Sequence, residues 1–361
     1  MLSSFFEGED ALVGGLLVRI GLLTGGGDAP GLNAAIRAVV RRALSLDFDV
    51  LGVRNGWAGL LGGGNFQRLD WRSVSGILHQ GGTILGTSRT NPVKRPEELE
   101  QVQANVKAFG IDGLVVIGGR DSLWVGAELH DRWGKVVGVP KTLDNTLVGT
   151  DQCIGHSSAV ALVAEALDRL HTTASAHHRV MVVEVMGGDA GWVAIDGGLA
   201  GGADLIVVPE VPTDLESICN HVLARRAQGR EFSIIVVAES ASISDFSDEA
   251  IDLGKPDPFG RYKLDRRNMG ERLAAEIEHR TGLETRFIVL GYLQRGGSPT
   301  AEDRLLATRL GVAAVDYVAE GRFGYVPCLN CGSVVPVPIR EVVSQTRPAD
   351  MELYELARLF F

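Results

Sequence analysis

Short, continuous apolar runs alternate along this chain with longer segments whose apolar residues recur at helical spacing. The run at residues 16–24 ends in the glycine-rich stretch GGGDAPG and is followed by LNAAIRAVVRRALSL, which has the periodicity of an amphipathic helix. The same order returns with the apolar runs FDVLGVRNG, IDGLVVIGG, KVVGVPKTLDN, HRVMVVEVMGG, ADLIVVPE, FSIIVVAES and TRFIVLGYLQRGG. Continuous runs of Val, Ile and Leu are typical of parallel strands covered on both faces. The pattern predicts an α/β protein with mostly parallel sheets.

One charged stretch, residues 244–268, interrupts this pattern. We expect it to be an exposed insertion and a candidate for a flexible flap. The whole chain of 361 residues is long enough for two domains of ordinary size, or for one large α/β unit with an insertion.

The formal net charge of −10 argues against nucleic acid or an anionic membrane as the main partner, because both favour a basic protein surface. An anionic ligand must therefore meet local cations. No segment has the roughly 18 uninterrupted apolar residues of a spanning helix, and the first residues lack the basic start of a signal peptide. We expect no membrane partner, a cytoplasmic location and a short N-terminal extension at residues 1–15.

The four cysteines are too few and too unevenly spaced for a disulfide framework, which favours a reducing compartment. Cys328 and Cys331 form a C-x-x-C pair, but no second pair or histidine cluster accompanies them. Reduced thiols in a terminal strand or loop are therefore favoured over a zinc site.

Polar and glycine residues are concentrated where the predicted strands end, which is where open α/β sheets bind ligands. Residues 25–31 open a helix, and backbone N–H groups at a helix start attract phosphate. This loop matches neither the G-x-G-x-x-G dinucleotide pattern nor the G-K-[ST] of a Walker loop, and a tight turn without a ligand is the alternative. Arg89, within the hydroxyl-rich stretch 81–90, has a guanidinium suited to phosphate oxygens, and its alternative is a solvated loop arginine.

Two charged residues follow the apolar run KVVGV. Asp144 is placed to take a proton from a substrate hydroxyl, while Lys141 balances charge on a transferring phosphoryl group. The alternative for Asp144 is an Asx-turn within its own loop. Other charged residues flank buried runs and, because buried arginines need anionic partners, indicate a sugar phosphate: Arg179, Arg286 and Arg295, with Glu239 at the end of FSIIVVAE.

The motifs TGGGDAPGLNAAIR, GGTILGTSRT, PKTLDN, VVEVMGGDAGW and LGYLQRGGSP together resemble those of the ATP- or pyrophosphate-using 6-phosphofructokinase family, especially its actinobacterial-type members. The resemblance runs from about Arg19 to about Arg322. It implies two Rossmann-like three-layer α/β/α domains with mostly parallel sheets and the active site in the cleft between them. The implied phosphoryl-donor domain comprises residues 16–155 and about 297–335, the fructose 6-phosphate domain comprises 156–296, and a C-terminal segment covers 336–361.

The resemblance also implies a role for each residue that matches a family motif. Asp144 is implied as the general base for the sugar 1-hydroxyl, with Thr142 and Lys141 beside it. The implied donor-binding residues are Gly27, Arg89, Gly119, Arg120, Asp121 and Ser122. The implied fructose 6-phosphate-binding residues are Met186, Gly187, Glu239, Tyr292 (where many relatives carry histidine) and Arg295, with Arg179 and Arg286 reaching in from a neighbouring subunit. Such a shared site implies a homodimer or homotetramer.

The donor loop, residues 118–122, departs from the family's pattern. Relatives usually carry Gly-Gly-Asp-Gly-Ser or an acidic equivalent, whose acidic residue serves the Mg²⁺ cofactor, whereas this chain has Arg120 and Asp121 there. Arginine cannot ligate a metal, so the metal ligands are unknown and Arg120 is a candidate for direct contact with pyrophosphate. Asp121 together with Lys141 is typical of members that use pyrophosphate. Thr146 replaces a usual aspartate, and residues 154–158 differ from the usual loop containing phenylalanine and aspartate.

Three hypotheses follow from the resemblance and its departures. The favoured one is a phosphotransferase that converts fructose 6-phosphate to fructose 1,6-bisphosphate with pyrophosphate as the donor. The second is an ATP-dependent 6-phosphofructokinase. The third is a catalytically impaired sugar-phosphate-binding homologue, because Arg120 and Thr146 replace the usual acidic residues.

Overall fold

The computed structural model describes residues 18–247, 251–262 and 264–361. The predicted N-terminal extension lies outside these ranges, as do the first two residues of the first predicted strand. The strands are β1 (Arg19–Gly25), β2 (Asp49–Val53), β3 (Phe66–Arg68), β4 (Gly113–Gly118), β5 (Val136–Pro140), β6 (Val180–Val185), β7 (Leu205–Val207), β8 (Ser233–Ala238), β9 (Thr285–Val289), β10 (Tyr325–Asn330) and β11 (Ser333–Pro338). The α-helices are α1 (Leu32–Leu44), α2 (Pro96–Ala108), α3 (Arg120–Trp133), α4 (His156–His177), α5 (Trp192–Ala200), α6 (Leu215–Ala227), α7 (Met269–Thr281), α8 (Ala301–Ala319), α9 (Ile339–Val342) and α10 (Met351–Ala357). Short 3-10 helices cover Gly56–Leu60, Pro92–Lys94, Leu264–Arg267, Gly291–Arg295 and Arg358–Phe360.

The first sheet has five strands in the order β3-β2-β1-β4-β5, and all are parallel except β3, which is antiparallel at one edge. Val115 and Ile117 of β4 pack in the core beneath α1 and α8, whereas Leu114 and Val116 pack beneath α2 and α3. Successive side chains of a strand point to opposite faces. A strand buried on both faces therefore reads as the unbroken apolar run LVVI, and the sheet is the middle of three layers.

The second sheet has four parallel strands in the order β7-β8-β6-β9. Helices α4 and α5 pack against each other and against β8, while α7 packs against β6 and β9 with α6 beside it. Valine and isoleucine residues of β6 and β8 form the centre of the core that these helices cover.

The loops after β1 and β4 leave the first sheet in opposite directions. β1 leads through α1 to β2 on one side, whereas β4 leads through α3 to β5 on the other side. Strand order therefore reverses between β1 and β4, and open parallel sheets bind their ligands at such a switch point, outside the carboxyl ends of the strands.

The part of the chain that follows α8 connects the two sheets. β10 and β11 form an antiparallel hairpin, and the chain then crosses to the second sheet, where the Tyr354 hydroxyl of α10 donates to the carbonyl oxygen of Ile206 (3.4 Å). On the way, the backbone N–H of Arg347 donates to the carbonyl oxygen of Thr146 (2.9 Å). This crossing lies directly behind the loop that follows β5.

The C-x-x-C pair lies in the hairpin, with Cys328 buried in β10 and Cys331 exposed in the turn that follows. Over residues 18–247, 251–262 and 264–361, no group of three or more His, Cys, Asp or Glu is gathered so that it could hold a metal ion. The helices of these same ranges include none with the length and apolar character needed to cross a membrane.

The predicted α/β class with mostly parallel sheets is confirmed. The domain boundaries stay a prediction. The described residues of the predicted insertion at 244–268 are exposed or half-buried; among the half-buried ones, Phe259 packs against the core beneath α2 and α3, and several neighbours line a cavity.

Candidate active site

The carboxyl ends of strands from both sheets border one cleft with two connected chambers. The larger chamber has a volume of about 890 Å³, and the smaller one, at the switch point of the first sheet, has a volume of about 110 Å³. Eight residues line both chambers and therefore mark their junction: Gly26, Gly27, Asp28, Arg89, Asp144, Asp257, Arg261 and Arg295.

Two glycines allow the floor of the smaller chamber to form. Gly25 ends β1 and Gly118 ends β4, and a Cβ atom on either would overlap the buried side chain of Ser122. Glycine at both strand ends lets the start of α3 closely approach the loop of residues 25–31, the first glycine loop. The implied donor residues Gly27, Gly119 and Ser122 are thereby brought together.

Asp144 follows β5 and is buried at the junction of the two chambers. Burial raises the pKa of its carboxyl, and the nearby guanidinium of Arg295 opposes this rise. The backbone N–H of Asp144 donates to Oγ1 of Thr142 (3.2 Å), whereas no described residue hydrogen-bonds to Oδ1 of Asp144. A buried polar atom without a partner in a cleft is a candidate contact for a ligand.

Lys141 lies beneath the first glycine loop. Its ammonium group donates to the carbonyl oxygens of Gly25 (3.1 Å) and Gly27, and the side chain is fully buried. Burial, reinforced by the positive charge of Arg295, lowers the pKa of Lys141 to about 8. A cation is thus fixed at the floor of the smaller chamber.

Arg295 reaches the same junction from the second sheet. Its Nη1 atom donates to the carbonyl oxygen of Asp28 (3.2 Å), its Nε has no hydrogen-bond partner among the described residues, and a Cβ on Gly27 would overlap its guanidinium. Tyr292 lies beside it, with its ring centre 5.9 Å from Cζ of Arg295. Arg295 can therefore contact ligands in both chambers.

Glu239, Met186 and Tyr292 also line the larger chamber, whereas Gly187 contacts Glu239 without lining the chamber. Glu239 accepts hydrogen bonds from the backbone N–H groups of Gly187 (3.2 Å) and Gly188 (3.0 Å), and burial raises its pKa to about 7. Met186 lines the chamber, and its backbone N–H donates to Oε1 of Gln294 (2.7 Å).

Arg179 and Arg286 lie away from both chambers. Arg179 pairs with Glu284 at 2.8 Å, and Arg286 contacts the same carboxylate at 2.5 Å. Their implied role, contact with sugar phosphate bound to a neighbouring subunit, stays a prediction.

The donor loop has an unexpected arrangement of charges. Arg120 begins α3, and its Nη1 atom donates to Oγ1 of Thr346 in the C-terminal segment. Asp121 instead pairs with Arg261 at 2.9 Å, and burial raises the pKa of the Asp121 carboxyl although Arg261 and Arg120 oppose the rise. Both side chains line the smaller chamber.

The sequence did not single out Arg261 and Asp257, which line the cleft, or His156, which lies behind the Asp144 loop. Arg261 and Asp257 line both chambers, and Asp257 pairs with Arg89 at 3.2 Å. His156 contacts the carbonyl oxygen of Leu143 through Nδ1 (2.8 Å) and Asp196 through Nε2 (2.7 Å), so it supports the Asp144 loop from behind. The sequence signals for these residues were the charged stretch at 244–268 and the difference of residues 154–158 from the family's usual loop. Neither signal shows which side chains face the cleft.

The residues present do not fit a divalent ion held by the donor loop. The two positions at which the resemblance implies acidic side chains carry Arg120 and Thr146. The carboxylate of Asp121 is already paired with Arg261. Within the described part of the chain, no three candidate ligands converge here or elsewhere.

The family model described as "Phosphofructokinase" matches residues 19–318. The chain is 47% identical over 350 residues to the pyrophosphate–fructose 6-phosphate 1-phosphotransferase of Streptomyces coelicolor, covering 95% of this chain and 100% of that protein. It is 45% identical over 341 residues to the ATP-dependent 6-phosphofructokinase of Chloroflexus aggregans, covering 91% of this chain and 93% of that one. Its fold is similar to the crystal structure of the pyrophosphate-dependent phosphofructokinase of Marinobacter aquaeolei, with a TM-score of 0.79 and 24% identity, covering 93% of this chain and 86% of that chain.

Proposed function

The chain belongs to the phosphofructokinase family, and we propose that it transfers a phosphoryl group from pyrophosphate to the 1-hydroxyl of fructose 6-phosphate, giving fructose 1,6-bisphosphate. The observation that carries this proposal is the buried carboxylate of Asp144 at the junction of the two chambers, with an oxygen that no described residue binds. A base at this point reaches a sugar in the larger chamber and a donor in the smaller one.

The reaction needs one proton acceptor and several fixed cations. The sugar oxygen forms a bond to phosphorus, the bond from that phosphorus to the bridging oxygen of pyrophosphate breaks, and phosphate leaves. The hydroxyl proton passes to Asp144, whose raised pKa makes it a stronger base than an exposed aspartate. Lys141 and Arg295 both line the smaller chamber, where their charges would stabilise the transferring phosphoryl group.

Three features favour pyrophosphate over ATP. Asp121 is a carboxylate in the smaller chamber, where it repels the α-phosphate of a nucleotide, and Lys141 forms the floor of that chamber. The chamber volume of about 110 Å³ is below the roughly 300–1,000 Å³ that is typical of pockets for drug-sized ligands. The similarity to the Streptomyces coelicolor protein agrees with this choice. The ATP-dependent alternative rests on the similarity to the Chloroflexus aggregans protein, which is slightly lower in identity and coverage.

Magnesium enters this proposal as part of the donor. Because the donor loop carries Arg120 and position 146 is threonine, the residues that the structure describes do not fit a resident ion. We infer that the substrate is the magnesium complex of pyrophosphate, and that arginine and lysine side chains supply the protein's share of the positive charge.

The sugar phosphate is proposed to bind in the larger chamber. Glu239 accepts hydrogen bonds from sugar hydroxyls, while Arg295, Tyr292 and Met186 line the same space. The backbone N–H of Gly187 donates to Glu239 and helps to orient it. Arg179 and Arg286 would complete the site from a neighbouring subunit.

A homodimer or homotetramer is part of the proposal. β9 is an edge strand of its sheet, and it exposes Phe287 and Val289, followed by Tyr292 and Leu293. An exposed apolar strip of this kind next to Arg286 is suited to a second copy of the chain.

The domain division predicted above is retained, since α8 packs beside α1 on the first sheet. A cytoplasmic location is also retained as a prediction.

The donor assay tests the function. Purified protein is given fructose 6-phosphate and Mg²⁺ with either pyrophosphate or ATP, and fructose 1,6-bisphosphate is measured. The proposal expects product with pyrophosphate and little or none with ATP. Product with ATP alone would favour the ATP-dependent alternative, and binding of fructose 6-phosphate without turnover with either donor would favour the impaired homologue.

A further inference from the structure

The turn at residues 257–261 is held together by hydrogen bonds and by packing against the core. Oδ1 of Asp257 accepts hydrogen bonds from the backbone N–H groups of Phe259 (2.8 Å) and Arg261 (3.0 Å), and the backbone N–H of Asp257 donates to the carbonyl oxygen of Arg261 (2.8 Å). Nδ2 of Asn91 donates to the carbonyl oxygen of Pro258 (3.2 Å), and Phe259 packs against the core beneath α2 and α3. These contacts fix the direction in which Arg261 leaves the turn.

Two ion pairs of opposite polarity join this turn to the rim of the smaller chamber. Asp257 on the turn pairs with Arg89 (3.2 Å), and Arg261 on the turn pairs with Asp121 (2.9 Å). Arg261 lines both chambers, and its positive charge opposes the raised pKa of Asp144. The guanidinium of Arg261 therefore lies within electrostatic reach of the proposed base.

The cations that line the smaller chamber differ in their protein partners. Arg120 donates to Thr346, Lys141 donates to backbone carbonyl oxygens, Arg89 pairs with Asp257 and Arg295 donates to the carbonyl oxygen of Asp28, whereas Arg261 pairs with Asp121. Asp121 presents a negative charge to any anion that enters, so pyrophosphate bound there requires a cation beside Asp121. Arg261 is placed at that carboxylate, and only one of its five N–H groups is used in the hydrogen bond to Asp121.

We propose that Arg261 is a further donor-binding residue, which offsets Asp121 and donates hydrogen bonds to the phosphoryl oxygens of pyrophosphate in the smaller chamber. This inference rests on the proposed function. A guanidinium binds two phosphoryl oxygens at once. The Arg261–Asp121 pair forms part of the wall of a chamber of about 110 Å³, so a donor longer than two phosphoryl groups must displace the pair. Arg261 thus contributes to donor choice as well as donor affinity.

The matched control lies on the same segment. Arg266 also carries a guanidinium, but it contacts Asp252 and its carbonyl oxygen, and it lines neither chamber. Arg261→Gln and Arg266→Gln therefore remove the same charge from the same segment, once at the proposed donor site and once away from it.

Calorimetric titration with magnesium pyrophosphate gives the dissociation constant of each variant, and steady-state assays give KM and kcat. We expect Arg261→Gln to raise the dissociation constant and KM for pyrophosphate by about 10- to 100-fold, the usual effect of losing a hydrogen bond from a charged group. KM for fructose 6-phosphate should stay within about twofold, Arg261→Lys should retain part of the affinity, and Arg266→Gln should match the unsubstituted chain.

A merely structural role, in which Arg261 only orients Asp121, predicts a different result for Asp121→Asn. In that case Asp121→Asn would weaken pyrophosphate binding as much as Arg261→Gln does. The proposal predicts instead that affinity is retained or improved, because the repelling charge is gone and Arg261 is free for the donor. Unchanged pyrophosphate affinity in Arg261→Gln, with the unsubstituted chain active, overturns this inference and leaves the proposed function standing. No pyrophosphate binding by the unsubstituted chain overturns both.

Discussion

The ammonium group of Lys141 donates a hydrogen bond to the carbonyl oxygen of Gly25 across 3.1 Å. The bond joins the loop after β5 to the loop after β1, so the residue before Thr142 and Asp144 is fixed to the floor of the smaller chamber. Because the side chain is fully buried there, the pKa of Lys141 falls to about 8. The cation that the proposed reaction needs is therefore lost at a pH only slightly above neutral.

This shift predicts an alkaline limit to activity. The ratio kcat/KM for magnesium pyrophosphate should fall as the pH rises through about 8, because the neutral amine no longer stabilises the transferring phosphoryl group. In Lys141→Arg the guanidinium stays charged, so the alkaline limb should move upward by at least about one pH unit. The control Lys135→Arg, a half-exposed lysine away from the cleft, should keep the original profile. An unshifted limb in active Lys141→Arg would contradict this assignment.

Because the pKa of the buried Glu239 carboxyl is raised, we expect the stability of the fold to depend on pH. Its pKa is raised from 4.5 to about 7, so between these values the folded protein binds a proton that the unfolded chain releases. The contribution of this carboxyl to the free energy of unfolding therefore decreases as the pH rises through that window. Glu239→Gln should raise the free energy of unfolding at pH 8 by up to about 3 kcal/mol and change it little near pH 5.

Thermal unfolding of Glu239→Gln at the two pH values measures this effect. The control is Glu165→Gln, which removes an exposed carboxylate on α4. A gain in stability that is equal at both pH values, or larger at pH 5, would show that the Glu239 carboxyl does not carry the burial cost inferred here.

We expect substitutions of Asp121 to change which phosphoryl donor the protein uses. Asp121→Gly removes both the charge and the bulk of the side chain, so KM for ATP should fall by about tenfold or more, since a like-charge contact costs several kcal/mol. Asp121→Asn keeps the bulk and removes only the charge, so its gain with ATP should be smaller. If neither variant improved KM or turnover with ATP, the argument that Asp121 excludes the nucleotide would fail.

Much of the fold and part of the site were predictable, because local patterns specify them. The unbroken run from Leu114 to Ile117 indicates a strand covered on both faces, and Asp144 follows such a run, so its position at a strand end could be predicted. The contact between Arg120 and Thr346 joins residues 226 positions apart, and no periodicity indicates it. The direction of Arg261 depends on the turn at 257–261, which follows no regular pattern. Arg179 and Arg286 both contact Glu284 and line neither chamber, so the contact with a neighbouring subunit's ligand that the resemblance implies stays a prediction.

The proposed reaction depends on Asp144 accepting the proton of the sugar hydroxyl. Asp144→Asn keeps the size of the side chain but removes its basicity, so kcat should fall by about 10²- to 10⁴-fold. The dissociation constants of fructose 6-phosphate and magnesium pyrophosphate should change only a few-fold, since the binding groups remain. Asp168→Asn, which removes an exposed carboxylate on α4, serves as the control.

The most direct measurement is a single-turnover experiment, in which excess Asp144→Asn enzyme is mixed with limiting fructose 6-phosphate and saturating magnesium pyrophosphate. The account predicts that both substrates bind and that formation of fructose 1,6-bisphosphate is slowed by at least about 10²-fold relative to the unsubstituted chain. Formation of product at the unsubstituted rate, with both substrates bound, would contradict it.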